Sequence, residues 1–194
     1  LQREHSEITG LTPFRLALLS NGTTSMLAPA LVASAARHGF SLEVIEAPYD
    51  QSMQTAVDPE SQINRSSPDL ALLAFDQHIL RPSENMADAA EAGVLVDAAC
   101  QHIEAIRNAL ATISGTPSIL QTLPLPVVGT LGSYDTRLPG SPRALAAVFN
   151  TRINEALDHS GDVLLDIAAL AAAIGLENWH DPTQWHLAKL AFSQ

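Results

Sequence analysis

The sequence has little of several residue types that mark common classes of protein. It contains one cysteine, Cys100, among 194 residues, which excludes an internal disulfide and a multi-cysteine zinc site. It has 10 Lys and Arg against 21 Asp and Glu, a formal net charge of -11, so nucleic acids and anionic membranes would repel it. No apolar run approaches the roughly 18 residues of a membrane-spanning helix, and no signal-peptide pattern is present. We therefore expect a soluble, cytoplasmic chain whose partner is a small molecule or another protein.

Apolar segments of strand length alternate with segments of helical periodicity. Residues 1–12 are polar and aperiodic and are predicted to form a flexible N-terminal arm, which leaves 13–194 as a single domain. The pattern predicts strands at 14–19, 41–45, 69–75, 117–123 and 162–167, and helices at 23–38, 86–112, 142–159 and 168–174. This alternation is typical of an α/β fold with a five-stranded parallel sheet between helices, for which we predict the strand order 2-1-3-4-5.

Ligands of such sheets lie beyond the carboxyl ends of the strands, where the strand order reverses. The predicted switch point therefore lies at the loops that begin at Ser20 and Asp76. The long loop 124–142 belongs to the same edge, and loops of that length are often functional. Asp135 in this loop is a candidate for a substrate contact.

The first loop, Ser20-Asn21-Gly22-Thr23-Thr24, contains neither a P-loop nor a dinucleotide-binding glycine pattern. Its hydroxyl and amide groups could hold an anion or an oxyanion at a helix N-terminus, which makes Asn21, Gly22 and Thr24 candidate substrate contacts. In the alternative structural role, Ser20 or Asn21 forms the turn and Thr23 or Thr24 caps the following helix.

Two further groups carry candidate chemistry. Asp76 and His78 follow the third strand, where they could contact a ligand or could be a turn cap and an exposed loop histidine. In the tail, Asp181 and His186 could act as the carboxylate and the base of a hydrolase, although Asp181 before proline is also typical of a helix cap. The two tryptophans are predicted to be packing anchors.

Three segments resemble a known family: PDLALLAFD at 68–76, LPLPVVGTLGSYDTRLPGSPRALAAVFNTRIN at 123–154, and VLLDIAALAAAIGLENWHDPTQWHLAKLAFSQ at 163–194. They are similar to the N-terminal region of FkbH-like proteins, class IIIC of the haloacid-dehalogenase-like superfamily. The resemblance implies an SGNH-hydrolase-like, flavodoxin-like three-layer sandwich. It also implies a C-terminal phosphatase-like domain with an Asp-x-Asp-x-Thr-like signature, which this sequence lacks. We expect Mg²⁺ only in that domain, and no cofactor or metal in this one.

The resemblance also exposes departures from a working SGNH hydrolase. Gly22 stands where the family pattern Gly-Asp-Ser has its nucleophile, and Asp76 stands at the asparagine of the oxyanion-hole motif. The terminal Asp-x-x-His is replaced by Asp181 with His186 five residues on. We therefore expect a domain that positions a substrate or a carrier protein without standard Ser-His-Asp hydrolysis. The alternative is an esterase or acyltransferase with a rearranged nucleophile, drawn from Ser20, Thr23 or Thr24, and His186 as its base.

The FkbH-like family's glyceryl-transferring members are associated with loading a phosphoglycerate-derived unit onto an acyl carrier protein in polyketide pathways. Because such carriers are usually acidic, a chain of net charge -11 needs a local basic patch to receive one. Arg137 and Arg143, which flank the long loop, are the candidate carrier contacts. Exposed arginines that serve solubility are the alternative.

Overall fold

The sheet has five parallel strands in the order β2-β1-β3-β4-β5, which confirms the predicted topology. A computed structural model describes residues 10–127, 129–157 and 161–193. The strands are β1 (Thr12–Ser20), β2 (Phe40–Glu46), β3 (Leu70–Ala74), β4 (Ser118–Gln121) and β5 (Val163–Leu165). The pairing of Leu18 with Leu72 and of Ser20 with Ala74 fixes the register of the two central strands. The carboxyl ends of β1 and β3 therefore lie side by side.

Helices fill the connections between the strands. They are α1 (Leu27–Arg37), α2 (Ser52–Val57), α3 (Gln62–Ser66), α4 (Ala89–Ile113), α5 (Pro142–Leu157), α6 (Ile167–Ile174), α7 (Leu176–Trp179) and α8 (Pro182–Ala188). Short 3-10 turns lie at Gln77–Ile79 and Gly132–Arg137. Most of the predicted N-terminal arm, residues 1–9, lies outside the described residues.

Two apolar clusters cover the two faces of the sheet. Ala17 and Leu19 of β1 pack in a large cluster with the buried face of α4 and with Phe149 of α5. Leu16 and Leu18, which alternate with them along the strand, pack with α1 in a smaller cluster. Side chains alternate between the faces of a strand, so the two clusters give a three-layer sandwich. None of the helices among the described residues is both long and apolar enough to cross a membrane.

Cys100 lies on α4 and is half-buried, as expected for a packing residue. Burial raises the pKa of its thiol. Because the thiolate is the nucleophilic form of cysteine, this environment favours the predicted role in packing over that of a reactive thiol.

Candidate functional site

Asn21 and Asp76 join the ends of the two central strands through a two-way hydrogen bond. The Asn21 side-chain amide donates to Asp76 Oδ1 at 2.8 Å, and the Asp76 backbone N–H donates to Asn21 Oδ1 at 2.9 Å. Asp76 is only 5% exposed. Two of the predicted site residues therefore link the two strand ends at the predicted switch point.

Asp76 also fixes the position of His78. Its Oδ1 accepts from the His78 backbone N–H at 2.9 Å, which caps the 3-10 turn, and its Oδ2 lies 2.9 Å from His78 Nδ1. The imidazole is stacked on Trp185, with 3.5 Å between the ring centroids and 3° between the ring planes. Asp76 thus fills the predicted role of a turn cap and also orients a histidine ring.

Ser20 does not have the environment of an activated nucleophile. Its Oγ donates to the Ala74 carbonyl at 2.8 Å and accepts from the Gly22 N–H at 2.9 Å. Among the described residues, no hydrogen bond joins Ser20 to a histidine. A nucleophilic serine needs a base within hydrogen-bond reach, and Ser20 instead stabilises the turn, which agrees with its alternative structural role.

The C-terminal segment packs directly on the first loop. Gly22 is buried, and a Cβ at this position would lie 2.9 Å from the Lys189 carbonyl oxygen. The Thr23 N–H donates to the same carbonyl at 2.9 Å, and the Thr23 hydroxyl donates to the Ala188 carbonyl at 2.6 Å. The backbone of the tail therefore packs directly against Gly22, the residue that the resemblance places at the position of an SGNH nucleophile.

The prediction that Thr23 or Thr24 caps α1 is wrong. The N-cap position of α1 is Met26, which supplies no side-chain cap, and the Thr24 hydroxyl donates to Glu46 of β2. The two hydroxyls instead take part in contacts with distant parts of the chain. As a result the helix begins at Leu27, four residues later than predicted.

The tail candidates do not form a hydrolase pair. Asp181 is the N-cap of α8 and accepts from the Thr183 and Gln184 N–H groups at 2.9 and 3.2 Å, as the alternative reading of Asp181 before proline predicted. His186 is exposed on α8, and its side chain makes no hydrogen bond with another described residue. His180 lies closer to the strand ends, and burial together with the neighbouring His78 lowers its pKa.

A cavity of about 690 Å³ opens at the carboxyl ends of β1 and β3. Ser20, Asn21 and His78 line it at the strand ends, and apolar side chains of α2 and α4 complete the lining. His102 contributes to the lining and meets Phe75 edge to face, with 5.7 Å between the ring centroids. Burial lowers the pKa of His102. Volumes of about 300–1,000 Å³ are typical of small-molecule sites, so the cavity can accept a ligand.

The sequence matches the family described as FkbH, N-terminal domain, over residues 15–194. The chain belongs to this family. The match confirms the resemblance inferred from the sequence. The search of curated proteins gives no match.

Solved structures with similar folds include relatives of two kinds. The N-terminal part of BF1531 from Bacteroides fragilis, described as containing a phosphatase domain complexed with Mg, has a TM-score of 0.82 at 20% identity. The match covers 99% of this chain and 50% of that one, so this FkbH N-terminal domain spans about half of its length. A lipase/acylhydrolase from Enterococcus faecalis matches with a TM-score of 0.57 at 15% identity, over 93% of this chain and 88% of that one.

An acetylxylan esterase from Geobacillus stearothermophilus, solved as a catalytic mutant, has a TM-score of 0.53 at 9% identity over 96% of this chain and 90% of the esterase. At these identities the likeness shows the fold alone. The fold is that of the SGNH-type hydrolases, as the resemblance implied.

Asp135 stabilises the long loop through hydrogen bonds to the backbone of that loop. Asp135 is 1% exposed, and its carboxylate accepts from the Thr130 and Leu131 N–H groups, both at 2.8 Å. Its backbone carbonyl accepts from the Ser141 hydroxyl at 2.9 Å. Because this carboxylate is buried and both of its oxygens already accept from backbone amides, we assign Asp135 a structural role in place of the predicted substrate contact.

The two arginines predicted to contact a carrier differ in their exposure. Arg137 is exposed at the end of the 3-10 turn in the long loop. Arg143 is half-buried, and its guanidinium donates to the Pro126 carbonyl at 3.4 Å. Only Arg137 therefore offers an unhindered charge to a partner.

Trp185 is the site residue that sequence reasoning missed. It was assigned to packing, but its indole ring covers one face of His78, and the Lys189 ammonium lies 5.2 Å from its ring centroid. The motif Trp-His-Asp-Pro-Thr-Gln-Trp marked the tail as unusual, although nothing in it indicated which strand loop the tail would contact. Within the described residues, no group of three or more His, Cys, Asp or Glu side chains could hold a metal ion.

Proposed function

We propose that this FkbH N-terminal domain binds and positions an acyl-type substrate or the arm of a carrier protein. In this proposal it serves a C-terminal phosphatase-like domain, as part of a glyceryl- or acyl-transferring protein of polyketide-type biosynthesis. It does so without Ser-His-Asp hydrolysis. The observation that carries the proposal is the close packing of the Lys189 backbone on Gly22. Gly22 is the residue that the resemblance places at the nucleophile position of the hydrolase fold.

The hydrogen bonds of the hydroxyl groups in the first loop also support a domain that does not hydrolyse its substrate. Ser20 and Thr23 donate to backbone carbonyls, and Thr24 donates to Glu46. The base proposed for a rearranged hydrolase, His186, is exposed and not hydrogen bonded to any of them. A cavity therefore lies at the strand ends, and the hydroxyl groups near it form hydrogen bonds that stabilise the first loop.

The association with a phosphatase-like domain rests on the family and on the relative from Bacteroides fragilis. That protein is about twice as long as this chain and is described as containing a phosphatase domain with Mg. We propose that the catalytic metal belongs to such a domain. The domain described here then supplies recognition rather than bond cleavage.

The decisive experiment is an assay of the isolated domain with a panel of short p-nitrophenyl and thioester substrates. We expect no turnover that depends on Ser20, so wild type and Ser20→Ala should release product at the same rate. Circular dichroism should show that both proteins are folded. A rate that falls at least tenfold in Ser20→Ala would support the alternative, an esterase or acyltransferase with a rearranged nucleophile.

The carrier surface can be tested with matched charge reversals. We expect Arg137→Glu to weaken the binding of an acidic carrier protein about two- to fivefold, the range of an exposed ion pair. Arg37→Glu at the end of α1, which is also exposed, changes the net charge equally and should leave the affinity close to that of the wild type. Equal affinities of all three proteins in a calorimetric titration would remove Arg137 from the carrier surface.

A further inference from the structure

We propose that His78 is a proton acceptor for a hydroxyl or thiol group of the ligand that occupies the cavity, and that Asp76 is its positioning residue. The inference rests on the proposed function in one respect, because it requires a ligand in the cavity. It goes beyond that function, because it gives the domain a part in activating the ligand.

The first step is the tautomer of His78. Asp76 Oδ1 receives two hydrogen bonds from groups that can only donate, the Asn21 amide and the His78 backbone N–H. Asp76 Oδ2 then faces His78 Nδ1 at 2.9 Å. A carboxylate accepts hydrogen bonds and donates none, so Nδ1 carries the hydrogen and the neutral ring has its lone pair on Nε2. A carboxylate that orients an imidazole in this way also stabilises the imidazolium that forms when Nε2 takes up a proton.

The second step is the orientation of the ring. The stack on Trp185 covers one face of the imidazole, and the bond to Asp76 holds one edge. The His78 side chain is nevertheless 37% exposed and lines the cavity. Nε2 has no hydrogen-bond partner among the described residues. The base is therefore held rigidly with its basic nitrogen accessible.

The third step is the source of the proton. The hydroxyl groups of Ser20, Thr23 and Thr24 donate to carbonyl or carboxylate oxygens elsewhere. Within the described residues, the strand-end loop therefore offers no free hydroxyl as a nucleophile beside His78, and the ligand has to bring the group that is deprotonated. In the transfer, the proton of the ligand's O–H or S–H moves to Nε2 as the oxygen or sulfur becomes the nucleophile, and the Nδ1 hydrogen stays on His78, where it continues to donate to Asp76 Oδ2.

The cavity indicates what else the ligand contains. Its lining includes the apolar side chains of Met53 of α2 and of Val94 and Leu95 of α4. One arginine, Arg81, and one carboxylate, Asp50, contribute to the lining. These walls suit an uncharged chain that ends in the protic group. A thiol is the easier donor, because a free imidazole and an alkyl thiol differ by about two pKa units.

The test uses N-acetylcysteamine as a thiol probe, N-acetylethanolamine as its alcohol analogue, and the S-methyl thioether as a blocked control. The acyl donor is p-nitrophenyl acetate, and the measured quantity is the rate of acetyl transfer to each probe. We expect the domain to accelerate acylation of the thiol, the alcohol or both at least tenfold, below the roughly 10²–10⁴ of a matched substrate. The blocked probe should give no acceleration. The probe that responds identifies the protic group.

His78→Gln should remove this acceleration, whereas His186→Gln, at an exposed position outside the cavity lining, should retain it. Retention of the wild-type rate by His78→Gln would overturn the proposal. The ¹⁵N spectrum of His78 gives a readout that needs no ligand. We expect the Nδ1–H tautomer in the wild type and a shift toward Nε2–H in Asp76→Asn, and an Nε2–H ring in the wild type would also overturn the proposal.

Binding of the three probes should be followed separately through Trp185, in a Trp179→Phe background where it is the remaining tryptophan of the sequence. A ligand in contact with His78 changes the surroundings of the stacked indole. If the probes alter Trp185 emission without acceleration, the proton-acceptor role fails and ligand binding in the cavity stands. If none of the probes binds, the result counts against both proposals.

Discussion

Replacing Gly22 by alanine would show how tightly the C-terminal segment seals the first loop. The added Cβ would lie 2.9 Å from the Lys189 carbonyl oxygen and 3.7 Å from both Ser20 Oγ and the Trp185 ring. Because the closest of these atoms belongs to the backbone, no flexible side chain can move aside. We expect the tail around Lys189 to move away from the loop.

The contacts between the tail and the first loop determine how much the free energy of unfolding would fall. Thr23 makes two hydrogen bonds to the tail, at 2.9 and 2.6 Å, and each is worth about 1 kcal/mol. The stack of Trp185 on His78 adds roughly 0.5–1.5 kcal/mol. Complete displacement of the tail would therefore lower the free energy of unfolding by about 3 kcal/mol, and partial relaxation by about 1 kcal/mol. In a domain of this size each kcal/mol lowers Tm by about 2–4 °C.

Urea unfolding and Trp185 fluorescence measure the two consequences. Gly93→Ala is the matched control, because Gly93 lies within α4 and an added Cβ there meets nothing within 4 Å. This control should gain about 0.5–1 kcal/mol, the usual effect of replacing glycine by alanine in a helix. If Gly22→Ala unfolds at the wild-type midpoint with unchanged Trp185 emission, the tail does not pack on the loop as described.

Two further changes test the buried polar groups. Asp135→Asn places a side-chain NH2 group against one of the two backbone N–H groups that donate to the carboxylate, so we expect the free energy of unfolding in urea to fall by about 1–3 kcal/mol. The exposed substitution Asp50→Asn should change the free energy of unfolding little. Equal stabilities of these two variants would contradict the structural role of Asp135. Burial lowers the pKa of His102 below the ordinary value of 6.5, so the unfolded chain takes up this proton first as the pH falls. The stabilising contribution is therefore fully present above pH 6.5 and is lost as the pH drops through the lower folded-state pKa. His102→Gln should flatten this decline, whereas His38→Gln at an exposed site should not, and identical pH profiles for all three proteins would refute the assignment.

The fold could be predicted because its signals are local and repeated. The runs FRLALL and DLALLAF are apolar throughout, as strands covered on both faces must be. Once the strands alternate with helices, right-handed crossovers leave few possible orders. The same rule placed Ser20 and Asp76 at neighbouring strand ends, and the structure brings these loops together through the bond between Asn21 and Asp76.

The details of the site could not be predicted, because they depend on where the tail packs. The hydroxyl groups of Thr23 and Thr24 have the local pattern of helix caps, but both are engaged by residues far away in the sequence. Nothing around Trp185 indicated that it would stack on His78 instead of joining the core. The structural contacts of Asp135 could not be predicted for a related reason: a loop carboxylate looks the same in the sequence whether it faces solvent or binds the backbone of its own loop.

The hydrogen bond between Thr23 and Ala188 joins residues 165 positions apart. During synthesis, the sheet strands β1 to β4 can leave the ribosome and pair well before residues 182–189 are translated. Closing such a long loop carries an entropy cost that only the finished contact repays. We therefore expect the contact of the tail with Gly22 and Thr23 to form late in folding, and a chain truncated before α8 to retain most of the sheet while leaving the strand-end loop uncovered.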